Sequence, residues 1–279
     1  MIDPPRWWQW PTILSLDAPT VSLLWQAALA RVVGVELRTP HVVVLAATVW
    51  LAYVADRWIE GWRLDWRNIR TQRHLFYQHY RWAVAIAWLL VMTVDLAVAF
   101  TRLDGRELIV GSMLMILVLA YLLSHQLVHR HRRWRAPKEL CVAVLLTAGV
   151  CVFLTTSRAI TELVWMASLF ALLCFTNCAL ISSWEREVDL SHGQTSLAID
   201  AHEHRWVFPQ LPWLVASLAG VACVAVAGPS RAVAGCSLAS AVLLASVDQY
   251  QRRAGWPLAR VLADVALMTP IIPLMWWWR

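Results

Sequence analysis

Long apolar runs separated by short polar clusters dominate the chain. Runs of roughly 17–25 apolar residues are the length that crosses a hydrocarbon core as helix. Nine stretches approach it: Ala18–Val35, His41–Trp58, Arg81–Phe100, Glu107–Leu127, Glu139–Thr156, Glu162–Trp184, Val207–Gly228, Ala232–Tyr250 and Gly255–Trp278. Arg31, Glu36 and Arg38 interrupt the hydrophobic signal of the first two, which a short connection joins. The pattern predicts an all-α, polytopic membrane bundle of about nine transmembrane helices. No linker rich in Pro, Gly or Ser divides the chain and no low-complexity tract appears, so residues 1–279 read as a single domain.

Composition agrees with the pattern: 59% hydrophobic residues, 15% charged and a mean hydropathy of +0.55 exclude an ordinary soluble domain. Cytoplasmic loops of membrane proteins carry the excess of Lys and Arg. Here the basic residues gather around Arg57–Arg81, Arg130–Lys138, Arg186–Arg205 and Arg252–Arg253, on one side of a nine-span layout. The expected location is a bacterial inner membrane with the N-terminus inside. Many of the 19 Trp residues fall at the ends of the runs, among them Trp7, Trp58, Trp62, Trp184, Trp206 and Trp276, where rings settle at the headgroup level. All six cysteines lie within apolar runs and read as small buried hydrophobes.

Two acidic clusters stand out: Asp56-Arg57-Trp58-Ile59-Glu60 and Glu185-Arg186-Glu187-Val188-Asp189. Each begins where an apolar run ends and sets two carboxylates four positions apart. On a helix such residues share one face, about 5–6 Å apart, a spacing suited to gripping a divalent cation. Carboxylates at membrane depth are costly and are kept when paired, hydrated or bound to something. Both clusters fall on the cytoplasmic side of the layout.

The second cluster opens the stretch Glu185-Arg186-Glu187-Val188-Asp189-Leu190-Ser191-His192-Gly193-Gln194-Thr195-Ser196-Leu197-Ala198. It resembles the second motif of the UbiA-type intramembrane prenyltransferase superfamily, an acidic DxxxD followed by xxxGxxTLA. Glu185 and Asp189 occupy the acidic slots, Gly193 the glycine and Ser196 the Thr slot. The first cluster resembles that family's NDxxDxxxD motif, with Asp56 and Glu60 in the last two acidic slots and Ala52 and Tyr53 where the family has Asn and Asp. The resemblance implies nine helices around a central cavity with both motifs at its cytoplasmic mouth. It also implies Mg²⁺ held by Asp56, Glu60, Glu185 and Asp189, an isoprenyl diphosphate donor, and a small or lipophilic acceptor that captures the allylic cation.

Mg²⁺ prefers one or two carboxylates plus substrate phosphate oxygens and waters, so the acid pairs suit that chemistry. Arg57, Arg63, Arg73 and Arg186 are the candidate donors to diphosphate oxygens, and Tyr53, Trp58 and Trp184 the candidate carbocation-facing aromatics. The stretch Arg70–Arg81 reads either as a lid over that site or as a cationic helix on anionic lipid. The basic residues at 129–135 suit lipid headgroups, and nucleic acid is not an expected partner. Asp95 lies deep in a run without a basic neighbour, whereas Arg260 and Asp264, four apart, are expected to pair with each other. Three readings remain open: a Mg²⁺-dependent prenyl transferase or its cyclase variant, an accessory protein that retains the scaffold, and a transporter routed through the buried charges.

Overall fold

The structure, a computed structural model, describes residues 4–63, 71–124, 137–155, 160–192 and 196–277. The basic patch at 129–135, Gly193 and the side chain of Arg63 lie outside the described residues. The described chain is helical, without strands. Its helices are α1 (Trp10–Ile13), α2 (Asp17–Val33), α3 (Thr39–Arg63), α4 (Gln72–His79), α5 (Arg81–Arg102), α6 (Gly105–Leu123) and α7 (Lys138–Cys151). They continue as α8 (Ile160–Ser191), α9 (Leu197–Asp200), α10 (Leu211–Ala225), α11 (Gly228–Ala254), α12 (Trp256–Ala266) and α13 (Ile271–Trp277).

Among the described residues seven segments are long and apolar enough to cross a membrane, and the pair α1–α2 makes an eighth if taken as one span bent by 75°. The structure therefore differs from the expected nine at two places. The α7 helix has 14 residues, short of the ~20 a crossing needs. The first span is bent because Ser15 adopts a left-handed φ of 57°, a conformation that non-glycine residues rarely take. Its hydroxyl bonds to the Tyr77 hydroxyl at 2.8 Å and accepts from Arg57 at 2.6 Å, which holds the bend.

The final run is also interrupted between α12 and α13, where Pro270 denies the helix an amide donor, and Pro273 follows in the first turn of α13. The carbonyl of Leu267, freed at that break, accepts from the indole of the fully buried Trp25 at 2.8 Å. Trp25 also stacks on Phe170, 4.7 Å between ring centroids. This Trp is a core residue, while Trp7, Trp206 and Trp276 are well exposed as headgroup-level rings would be.

The core joins α2, α8, α11 and α12 around Trp25, Phe170, Leu244 and Ala263. By contrast α6 buries none of its residues, and α5 buries Asp95 alone. Both present large apolar side chains such as Leu90, Phe100 and Ile116 outward, as helices in contact with lipid do. The 32 residues of α8 span about 48 Å, well beyond a ~30 Å hydrocarbon core. Its C-terminal turns therefore carry Glu185 and Asp189 toward the membrane boundary.

Candidate functional site

The two acid pairs, far apart in sequence, meet at one end of the bundle. Asp56 and Glu60 project from the last turns of α3, and Glu185 and Asp189 from the last turns of α8; all four line a single polar chamber of ≈ 200 Å³. On α8 the residues facing the chamber recur at helical spacing: Cys174, Asn177, Cys178, Ser182, Glu185 and Asp189. The stretch after α8 folds back on it: the amide of Leu197 donates to Glu139 at 2.9 Å, and that of Ala198 to the Ser182 hydroxyl at 3.2 Å.

The chamber is densely charged. Besides the four motif acids, Asp17, Glu139 and Asp264 line it, against four cations, Arg57, Arg73, Lys138 and Arg260. Among the described residues, seven carboxylates against four cations leave a formal excess of three negative charges. Glu185 bridges two guanidinium groups: Arg260 Nη1 donates to Oε1 at 2.5 Å, and Arg73 Nη2 to Oε2 at 3.3 Å. These same three residues also line a second space of ≈ 380 Å³, toward Arg6, Trp8 and Trp256. They therefore stand as a charged partition between the two. Burial, and next the charge of Arg260, pull Arg73 below its usual range, while Glu185 opposes them. Burial alone would lower the Lys138 ammonium, but Asp189, Glu139, Glu60 and Asp56 outweigh it and hold it above its ordinary value.

The α4 helix covers the chamber from the α3 side. Gly61 lets it come close, since a Cβ there would lie 3.3 Å from the Cβ of Tyr77 and 3.6 Å from the amide nitrogen of Gln78. Its buried face carries His74 and Tyr77. His74 Nε2 lies 3.3 Å from Glu60, and Nδ1 lies 2.6 Å from the Thr71 hydroxyl. Burial first of all drives the His74 imidazole down to about 4, so the ring is neutral near pH 7. A neutral ring that donates from Nε2 to Glu60 accepts at Nδ1 from Thr71. Of the two expectations for residues 70–81, these buried contacts make α4 a cover on the chamber and not a helix lying on lipid alone.

Several expectations need correction. Arg57 lines the chamber, but its Nη1 is occupied by the Thr12 carbonyl at 2.7 Å and Ser15 at 2.6 Å, and its Nη2 lies 3.9 Å from Asp17. It braces the α1–α2 bend and is not a free phosphate donor. Arg186, one residue from Glu185, lies off the chamber-facing stripe and lines neither space. The indole of Trp58 donates to the Arg81 carbonyl and that of Trp184 to Asp248, so neither faces the chamber. Tyr53 does line it, 5.6 Å from the Arg57 guanidinium. Arg260 and Asp264 do not form the expected exclusive pair: Arg260 bonds Glu185, and Asp264 accepts from Asn177 at 3.1 Å. Arg260, Lys138, Asp17 and Asn177 were not among the candidates. The polar residues Asn177 and Ser182 within an apolar run were the signal for a chamber-facing stripe.

Beside the chamber lies an apolar cavity of ≈ 250 Å³ between α3, α5, α6 and α7, and Tyr53, Asp56, Tyr121, Val142 and Leu146 line both. Its wall on α3 extends from Val44 to Asp56, about 18 Å of helix. The far end lies at Glu107, which accepts from Arg38 Nη2 at 2.6 Å and lies 2.9 Å from His41. Among the described residues no three His, Cys, Asp or Glu side chains gather as a ready-made metal cage.

A bundle of membrane-length helices with a charged chamber at one end and an apolar cavity beside it is the architecture of an integral membrane protein. In structure the chain is similar to a UbiA homolog from Aeropyrum pernix K1 in its apo form, with a TM-score of 0.59 over 94% of this chain and 98% of that one, at 15% identity. The likeness shows that the chain has the UbiA-type fold. No family model matches the chain, and neither does any curated protein.

Proposed function

We propose that this chain is an intramembrane enzyme that binds an isoprenyl diphosphate with Mg²⁺ and transfers the isoprenyl group to a small or lipophilic acceptor. The observation that carries this reading is the adjacency of two unlike spaces: a chamber with both acid pairs and several cations shares a wall with an apolar cavity. A diphosphate head fits the first and a hydrocarbon chain the second. In the reaction the allylic carbon–oxygen bond breaks, its electron pair leaving with the diphosphate. The allylic carbon then bonds to the acceptor, which gives up a proton.

The residues fit a cation that arrives with its phosphate. A Mg²⁺ ion uses one or two carboxylates and completes its shell with phosphate oxygens and water, which needs no preformed cage. The formal excess of negative charge is what a divalent ion offsets. Asp56, Glu60 and Asp189 would hold it, and it would supply charge neutralisation for the leaving diphosphate. Arg73 and Arg260, crowded against each other with only Glu185 between them, are placed to donate to phosphate oxygens. Tyr53, at the junction of the two spaces, is placed to face the allylic carbon with its ring. In this reading the chamber opens to the cytoplasm.

A second reading, a non-catalytic membrane protein on the same scaffold, is favoured by one observation: two arginines already occupy Glu185. One experiment separates the two. Purified protein is titrated with isoprenyl diphosphates of several chain lengths, with and without Mg²⁺, beside Asp189→Ala. The enzyme reading expects Mg²⁺-dependent binding that weakens at least tenfold in the variant; equal, Mg²⁺-independent binding by both proteins overturns it. Release of diphosphate without any acceptor would identify the cyclase form, in which a double bond of the substrate takes the acceptor's place.

A further inference from the structure

The apolar cavity contains a polar position that the proposed chemistry does not use. Among the described residues three carboxylates line the cavity: Asp56 belongs to the charged chamber, Glu107 is held by Arg38 and His41, and Asp95 stands between them. Asp95 is the one buried residue of α5, a helix whose other residues are more exposed, many of them large apolar side chains turned outward. It is 6% exposed. One carboxyl oxygen, Oδ2, accepts from the Thr48 hydroxyl of α3 at 3.0 Å, and the other, Oδ1, is buried without a partner. Leaving a buried polar atom unsatisfied costs roughly 1–3 kcal/mol, and an ionisable group inside a membrane is a functional suspect by default. A Leu or Val would fill this place at lower cost if the cavity served hydrocarbon alone.

We infer that Asp95 and Thr48 form a subsite for the hydroxyl of a lipophilic molecule, which donates to the Asp95 carboxyl group while its apolar body shares the cavity with the isoprenyl chain. The inference rests on the transferase reading in one respect: it assigns the hydroxyl to the second substrate. An isoprenyl diphosphate carries its polar head at the charged chamber and no hydrogen-bond donor along its chain. Thr48 lies eight residues before Asp56 on α3, about 12 Å along the helix. The acceptor is therefore an elongated lipophile with a hydroxyl about that far from the diphosphate-binding end. A neutral hydroxyl suits the site better than an ammonium, because the surrounding wall is apolar and burial of a charge costs far more than burial of a hydroxyl.

The test uses the full-length protein in lipid nanodiscs, without Mg²⁺ or diphosphate. A twelve-carbon alcohol with a diazirine on its chain is compared with the same diazirine-bearing alkane at equal membrane concentration, and labelled positions are mapped by mass spectrometry. Peptides from α3 and α5 are expected to label at least tenfold more with the alcohol, and Asp95→Leu to bring the alcohol down to the alkane's level. Asp95→Asn, nearly isosteric and the safer variant for folding, is expected to lower the preference at least threefold. Equal labelling by the two probes in the unmodified protein overturns the inference, as does a preference that persists undiminished in either variant. Because the readout involves no diphosphate, an alcohol preference without Mg²⁺-dependent diphosphate binding would sink the enzyme reading and leave the subsite standing.

Discussion

The two acid pairs look alike in sequence and are held in opposite ways. Glu60, on α3, meets His74 fourteen residues downstream, through a helix that folds back on α3 across Gly61. Glu185, on α8, meets Arg73 and Arg260, 112 and 75 residues away. The first motif is thus secured through a single contact from a helix close to it in sequence. The second ties three distant helices together. Both motifs therefore reach α4, the first through one short-range contact and the second through a bridge that also takes in α8 and α12.

The largest consequence of that contrast lies in stability. Glu185→Ala leaves Arg73 and Arg260 buried without their shared carboxylate, and breaking a buried charge pair in this way costs about 3–5 kcal/mol. Glu60→Ala removes a hydrogen bond to a neutral ring and one of four carboxylates acting on Lys138, and a smaller loss of about 1–3 kcal/mol is expected. Unfolding of the two variants in mixed micelles with a denaturing detergent measures both. Equal losses would mean that the second motif is not the anchor.

A smaller effect should appear with pH. His74 titrates near 4 in the folded protein, chiefly through burial, against about 6.5 for a free imidazole. The unfolded chain takes up this proton first as pH falls. The stability contributed is therefore complete above about pH 6.5, declines as pH drops toward about 4, and levels off below. By pH 5 the loss from this one group is about 2 kcal/mol. Thermal unfolding measured from pH 7 to 5 should show it, and His74→Gln should flatten the slope. An unchanged slope in the variant would mean that α4 does not hold a neutral ring over Glu60.

Much of the scaffold was legible in the alternation of apolar runs and polar breaks, because lipid demands long apolar helices and leaves little choice in where they end. The chamber was legible only in part. Asp56, Glu60, Glu185 and Asp189 were visible because carboxylates at the end of an apolar run are conspicuous and each pair repeats a four-residue spacing. Arg260 misled, because Asp264 four residues on is a sufficient local partner and nothing in the spacing points to Glu185 instead. Lys138 and Asp17 lie near the starts of their helices, where charges are ordinary, and only the fold turns them into the chamber. The shortness of α7 was hidden as well, since its apolar run is long enough on paper.

The smallest effect probes the cover itself. Thr71 precedes α4, and its hydroxyl, 2.6 Å from His74 Nδ1, fixes which nitrogen of the ring carries the proton. Thr71→Val keeps the shape and removes that donor, leaving Nδ1 without its bond at a buried position, a loss of about 1 kcal/mol. The ring is then free to place its proton on Nδ1 and turn a lone pair toward Glu60, which weakens the attachment of α4 to the first motif and leaves its Arg73–Glu185 bond to the second in place. Amide hydrogen exchange should therefore rise across Gln72–His79 in this variant and remain unchanged across the α8 residues around Glu185. A rise at both places would show that cover and anchor are one cooperative unit, and the contrast between the two motifs would dissolve.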